Sequence, residues 1–287
     1  MRCAALLALL ACAPAAAQDK PLSLDVLFDP ETKVDFTGTA PRGLTWLDES
    51  RLHWPKTDPK TRLTEHFVID AATGAIQPLF SAAALEAALA RIDGVGAEKA
   101  AKLAREKKYV LDRPGRSLVL EAGGDLYVFA FAGARLTRLT SAPGKEEEPA
   151  WSPDSRRVAF VRGNDLYVVE VGAGREERLT RDGSADILNG KLDWVYQEEI
   201  YGRGLFKAHW WSEDSSSLAF LRLDETGVPR HTLVDEIEEP AEVEVTPYPR
   251  PGERNASVRL GIVRLGGEGT RWVDLALENA RLALDQR

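Results

Sequence analysis

The feature that most restricts what this chain can fold into is a repeat of 40 residues. Asp125-Leu126-Tyr127-Val128 returns as Asp165-Leu166-Tyr167-Val168, and Arg138-Leu139-Thr140 returns as Arg178-Leu179-Thr180 at the same spacing. Two independent landmarks sharing one period mark a structural unit used more than once. Its content is strand and turn. Ser152-Pro153-Asp154-Ser155 suits a type I turn, with proline presetting φ and the serine hydroxyl folding back on the backbone. Val158 to Val161 is a short apolar run, Gly163-Asn164 offers a hairpin turn, Leu166 to Val171 is a second run, and Arg178-Leu179-Thr180 closes a third. A small sheet of this kind cannot cover its own faces and must stack on its neighbours, as the blades of a β-propeller do.

A looser copy runs from 43–54 through 66–79, a later one begins at Trp210-Trp211-Ser212, and 258–275 reads as the start of another. The expected fold is therefore all-β: an incomplete β-propeller of about four and a half four-stranded blades. Residues 81–108 break the strand pattern, with alanine and leucine at helical spacing around Gly94-Val95-Gly96, and predict a short helix pair outside the blades. The segment 274–287 is also helical in composition, although an unfinished strand fits it equally well.

The first 17 residues combine Arg2, a short apolar run and Ala15-Ala16-Ala17, the pattern of a signal peptide. Residues 18–287 are then an exported propeller portion, periplasmic or extracellular. Leu9-Leu10-Ala11-Cys12 resembles a bacterial lipobox, so a lipid anchor on Cys12 stands as the alternative to simple cleavage. Both cysteines, Cys3 and Cys12, fall in this leader, which leaves the rest without a disulfide or a thiolate. No later apolar run approaches the roughly 20 residues of a membrane span. A net charge of -8 with dispersed basic residues argues against nucleic acid as a partner and favours a cationic one. His53, His66, His209 and His231 lack the spacing of metal ligands, so each reads as a blade residue and no metal or cofactor is expected.

The period fails in one place. Trp151-Ser152 recurs at Trp211-Ser212 after 60 residues instead of 40, so about 20 residues have been inserted, and they include Asp193-Trp194-Val195-Tyr196-Gln197-Glu198-Glu199. An alkylammonium has three N–H donors, which two carboxylates can share in charge-assisted bonds that an acylated terminus cannot make. Adjacent residues do not share one α-helical face, so Glu198 and Glu199 would have to converge from a bent or short segment. The plain alternative is a solvated acidic turn. Trp194 and Tyr196 fit a pocket wall and a buried core equally.

The stretch 187–233, followed by 246–263, resembles the N-terminal propeller of bacterial dipeptidyl peptidase IV-like serine exopeptidases. The likeness is dense from about 110 to 263, and its specific signals are the Asp-Trp-Val-Tyr-x-Glu-Glu core and Pro247-Tyr248-Pro249 with Gly252. The resemblance implies an eight-bladed ring in which Glu198 and Glu199 hold the free N-terminus of a peptide or oligopeptide. A fixed distance from that anchor to a nucleophile then releases N-terminal dipeptides. It also implies a homodimer of the full-length protein and a carbonyl-binding arginine, for which Arg116 and Arg113 are weak candidates. A third acidic position common in relatives is Gln197 here. The family's reaction needs Gly-x-Ser-x-Gly with a later Asp and His on an α/β-hydrolase domain, and no Gly-x-Ser-x-Gly occurs in these 287 residues. The expectation is thus the substrate-gating portion of an exported dipeptidyl peptidase, a fragment with no catalytic residue of its own. The competing expectation is a non-enzymatic binding propeller resembling the Tol-type periplasmic scaffolds, which share the Trp-Ser-Pro-Asp turn. Asn255-Ala256-Ser257 is a glycosylation acceptor expected to stay unmodified.

Overall fold

The computed structural model describes Phe28 and residues 43–235 and 242–274. The leader, with its Cys12, and residues 275–287 lie outside the described residues. Each of the first three copies of the repeat closes into a four-stranded antiparallel meander. The first comprises β1 (Thr45–Trp46), β2 (Arg51–Thr57), β3 (Thr64–Asp70) and β4 (Ile76–Pro78). The second comprises β5 (Val110–Leu111), β6 (Ser117–Ala122), β7 (Asp125–Ala130) and β8 (Arg135–Arg138). The third comprises β9 (Glu146–Trp151), β10 (Arg157–Arg162), β11 (Asp165–Glu170) and β12 (Glu176–Arg178).

The repeated landmarks are the residues that tie these strands together. Thr140 Oγ1 accepts the Leu126 N–H at 2.8 Å, and Thr180 Oγ1 accepts that of Leu166 at 2.9 Å. Arg138 reaches Asp125 at 2.6 Å, as Arg178 reaches Asp165 at 2.5 Å. The 40-residue period is therefore the spacing of one side-chain clamp. A second recurring contact joins neighbouring sheets: the Trp151 indole N–H donates to the Val110 carbonyl at 3.1 Å, and the Trp211 indole to that of Ala150, also at 3.1 Å.

Alternation of side chains along each strand gives the second, third and fourth sheets two apolar faces. In the second sheet Val119, Leu126 and Val128 pack on Val158, Phe160 and Val169 of the third. The third turns Ala159, Val161, Leu166 and Val168 to Leu218, Phe220 and Val263 of the fourth. The remaining face of the second sheet, with Leu118, Leu120 and Phe129, is covered by the helical insertion expected at 81–108. It forms the helices Ala82–Leu89 and Gly96–Leu103, the first capped where Ser81 Oγ accepts the Ala84 N–H at 3.2 Å. Helices of eight residues owe their persistence to packing, here through the fully buried Leu85, Leu89 and Ala100.

The fourth sheet has β15 (Ser217–Asp224), β18 (Ser257–Arg264) and β19 (Thr270–Trp272), and its first strand comes in two pieces. β13 (Ile187–Asn189) and β14 (His209–Trp211) both pair with β15, one beyond the other. Residues 258–275 do not open a further blade, contrary to the reading from sequence. β18 pairs with β15 from Ser217↔Arg264 to Asp224↔Ser257, so this stretch supplies the third and fourth strands of the fourth sheet. The cause is a hairpin, β16 (Arg230–Asp235) with β17 (Glu242–Pro247), which separates in sequence two strands that are neighbours in space. The all-β, four-stranded architecture of stacked sheets is as expected. No helix among the described residues is long and apolar enough to cross a membrane.

Candidate functional site

The inserted residues leave the fourth sheet in mid-strand and return to it. Their stem is a short ladder: the Ala208 N–H donates to Gly190 O at 2.9 Å, and the Leu192 N–H to Phe206 O at 2.7 Å. Gly190 opens the stem at φ 76°, and a Cβ there would stand 3.2 Å from Leu166 Cδ1, so both conformation and space favour glycine. Leu192, Tyr196 and Ala208 pack with Leu188, Leu221 and Leu223, on the face of the fourth sheet turned away from the third.

At the head of the stem a helical turn at 194–195 widens into a π-helix over Tyr196–Tyr201. Asp193 starts it, its Oδ1 accepting the Tyr196 N–H at 2.7 Å. Asp193 is buried, and that burial raises its pKa, partly offset by this bond. Glu225 is 8% exposed, and burial, with the Asp193 and Asp186 charges adding to it, pushes its pKa up to about 7.

Glu198 and Glu199 occupy the middle of the π-helix. The Glu198 side chain is 13% exposed, and its Oε1 is ion-paired with the Arg203 guanidinium. Its Oε2 accepts from Gln197 Nε2 at 3.4 Å. Glu199 is exposed and has no recorded partner among the described residues. Gln197 is buried and also accepts the Gly204 N–H at 2.6 Å, which ties the helix to the turn that follows. Trp194 is 44% exposed and meets Tyr248 edge-on, with ring centroids 5.0 Å apart at 61°. That contact brings together the two sequence signals, 193–199 and 247–252. Tyr196 lies in the apolar cluster below, where burial raises its pKa.

Arg113 and Arg116 sit on the turn between β5 and β6. Arg113 pairs with Glu213 at 2.5 Å. The Arg116 backbone N–H donates to Asp112 Oδ1, and the residue lines a surface depression with Trp46, Asp48 and Arg51. Among the described residues neither arginine contacts Glu198 or Glu199. Arg113 instead shares a cavity of about 680 Å³ with Trp151 and Trp211, and with Leu205 and Lys207 of the insertion. Burial pulls the Lys207 ammonium below the usual lysine range and pushes Glu148, which lines the same cavity, above the usual carboxylate range.

Three histidines make contacts within or beside the four-stranded sheets, whereas His231 lies on the β16–β17 hairpin, not on a blade, and meets Arg250 at 3.1 Å. His66 donates through Nε2 to Glu106 O at 2.8 Å, so its Nδ1 accepts from His53 Nε2 at 2.8 Å. Burial lowers the His53 pKa to about 4. His209, fully buried, bonds to Gly190 O at 2.9 Å through Nδ1, and burial likewise takes it to about 4. Sequence reasoning missed Arg203, the double role of Gln197, and Glu225. Asp193 carried a signal, since aspartate ahead of a helical turn is a cap.

Residues 119–285, more than half of the chain, match the model of the dipeptidyl peptidase IV (DPP IV) N-terminal region. Over 106 residues the chain is 42% identical to a probable dipeptidyl-aminopeptidase B of Sordaria macrospora, covering 37% of this chain and 11% of that protein. It is 39% identical over 122 residues to a probable dipeptidyl peptidase 4 of Trichophyton verrucosum, covering 40% of this chain and 16% of the relative. The crystal structure of Porphyromonas gingivalis dipeptidyl peptidase 4 superposes with a TM-score of 0.64 at 26% identity, over 90% of this chain and 35% of that one. A putative dipeptidyl aminopeptidase IV from Bacteroides ovatus shares the fold, with a TM-score of 0.54 at 21% identity over 83% of this chain and 30% of that one. The chain spans about a third or less of the length of these proteins.

Proposed function

Since the chain belongs to the dipeptidyl peptidase IV N-terminal region family, we propose that it recognises the free N-terminus of peptides, with Glu198 and Glu199 as the anchor for the ammonium group. The observation that carries the reading is the pairing of a largely buried carboxylate, Glu198, with an open one, Glu199, on adjacent residues of a π-helix. Single π turns occur often at functional sites, because the widened ring re-aims side chains that an α-helix would disperse. Asp193 fixes the helix from its start and Gln197 from its end, so the carboxylates are held before any ligand arrives. Trp194, braced by Tyr248, is the wall beside them.

An ammonium satisfies both carboxylates, and its charge-assisted bonds to them offset the cost of leaving water, whereas an acetylated terminus brings no charge and too few donors. Recognition of the terminus at a fixed place is what an exopeptidase that releases dipeptides requires, and this chain's part in that reaction is selection of the substrate. No nucleophile is assigned to it. The leader-like residues 1–17 support export, to the periplasm or the outside of the cell. The β16–β17 hairpin exposes Leu233, Val234, Val243 and Val245 on its two faces, which supports a homodimer through this arm.

The test is binding of a free-amino tripeptide amide to the 287-residue chain, compared with its Glu198→Gln/Glu199→Gln variant. Loss of one or two charge-assisted bonds is worth about 1.5–3 kcal/mol each, so affinity should fall at least tenfold while the melting temperature changes little. Equal affinity in the two proteins would remove the anchor and leave the scaffold reading in its place.

A further inference from the structure

We propose that Arg203 is the resident cation of this site: its guanidinium occupies the place on Glu198 that an incoming peptide ammonium must take, so Arg203 sets the affinity and the charge selectivity of the anchor. The inference rests on the reading of Glu198 and Glu199 given above. It starts from an asymmetry in the ion pair. The Glu198 side chain is 13% exposed and that of Arg203 is 85% exposed, so the arginine lies on the solvent side of the carboxylate. The two oxygens of Glu198 face different ways. Oε2 accepts from the buried Gln197 amide, while Oε1 is the oxygen that the exposed Arg203 holds.

The backbone around Arg203 suits an arm that can be displaced. It stands between Gly202 at φ 110° and Gly204 at φ 83°, and the turn is held at its far end where the Gly204 N–H donates to Gln197 Oε1. Among the described residues Glu198 is the one hydrogen-bond or ion-pair partner of Arg203. Release of its side chain therefore breaks no other polar contact of this residue. Glu199, one residue on, is left open. The empty site then has one carboxylate covered by an internal cation and one exposed to solvent.

Two consequences follow. A free N-terminus exchanges one cation for another at Glu198 and gains Glu199 in addition, whereas a neutral terminus has no charge with which to displace the guanidinium. Binding by exchange also changes little with salt at Glu198, because the carboxylate is neutralised before and after. Without Arg203 the ammonium meets two open carboxylates, and its affinity should respond more steeply to ionic strength.

The test uses the 287-residue chain, a free-amino tripeptide amide and its N-acetyl counterpart, with calorimetry at low salt and at roughly 0.5 M salt. Arg203→Ala should bind the free-amino peptide about three- to fivefold more tightly at low salt, with most of the gain lost at high salt, and Arg203→Lys should stay near the wild type. Unchanged or weaker binding by Arg203→Ala would mean that Arg203 positions Glu198 or is idle, and would overturn the proposal. The anchor variant separates the two ideas. If Glu198→Gln/Glu199→Gln binds as tightly as the wild type, the anchor itself fails. If that variant loses binding while Arg203→Ala gains nothing, only the resident cation fails. Where affinities are too weak to fit, the Arg203 Nε–H resonance decides: it should move toward a solvated position with the free-amino peptide and not with the acetylated one. A resonance that stays in place with both overturns the proposal.

Discussion

The third and fourth sheets are built from the same parts and differ in one strand. Both end their first strand on a tryptophan whose indole reaches back to the preceding sheet, Trp151 to Val110 and Trp211 to Ala150. Both continue through a turn in which a serine hydroxyl accepts a backbone N–H five residues on, Ser152 from Arg157 and Ser212 from Ser217, each at 3.0 Å. The first strand of the third sheet is continuous over Glu146–Trp151. That of the fourth is cut into β13 and β14, and residues 190–208 leave through the cut. The lesson is that an edge strand tolerates a break when its two halves keep register on the same neighbour. The inserted part is closed by its own stem, so it adds a helical head without disturbing the packing behind it.

That comparison is broken most severely in the two cores between sheets. Phe160 and Phe220 are both fully buried and belong to equivalent strands of the two sheets. Phe160→Ala and Phe220→Ala should each destabilise by about 3–5 kcal/mol in chemical denaturation. A much smaller loss for Phe220 would show that the interrupted sheet is not packed like its neighbour.

The next effect depends on pH and belongs to the interrupted sheet alone. The carboxyl of Glu225 has its folded pKa raised to about 7 from its ordinary 4.5, so the folded chain binds more protons than the unfolded one between those values. Stability from this group is then present below about pH 4.5 and declines as pH rises toward 7, by up to about 3 kcal/mol. Glu225→Gln should flatten that decline. The buried His53 and His209, lowered to about 4, act in the opposite sense, since their contribution is present above about pH 6.5 and is lost as pH falls toward 4. Denaturation curves at pH 5 and pH 8 for the wild type and Glu225→Gln measure the difference; identical slopes would contradict it.

Smaller effects sharpen the same contrast. Asp193→Ala removes the cap of the inserted helix and should cost about 1 kcal/mol. That cost should appear as faster amide exchange over 194–201, with the exchange of β10 and β11 unchanged. Thr140→Val and Thr180→Val each remove a hydroxyl that accepts a buried leucine N–H. Thr140→Val should cost about 1 kcal/mol and Thr180→Val more, because the Thr180 hydroxyl also donates to the buried Asp165 Oδ1 at 2.7 Å.

Most of the sheet architecture was legible because the repeated residues are the ones in contact. The Asp125–Arg138 and Leu126–Thr140 contacts recur 40 residues later, so the period in the sequence is a period of bonds. The 258–275 stretch was misassigned because strand pairing over eight residues leaves no local mark when a hairpin intervenes. Val258 to Leu265 looks the same whether it opens a blade or closes one. In the candidate site, the Glu pair and its tryptophan were visible as an unusual cluster in an insertion. Arg203 was not, since an exposed arginine between two glycines reads as an ordinary turn. Glu225 escaped notice for a related reason: burial of a carboxyl group is a property of the fold around it.

The central claim is that the insertion in the fourth sheet carries a site for a peptide ammonium that the third sheet lacks. The most direct measurement is an amide chemical-shift titration of the 287-residue chain with a free-amino tripeptide amide and its N-acetyl counterpart. The account predicts saturable shifts confined to about residues 193–205 and Tyr248, given by the free-amino peptide alone. Shifts common to both peptides, or centred on the cavity between Trp151 and Trp211, would contradict it.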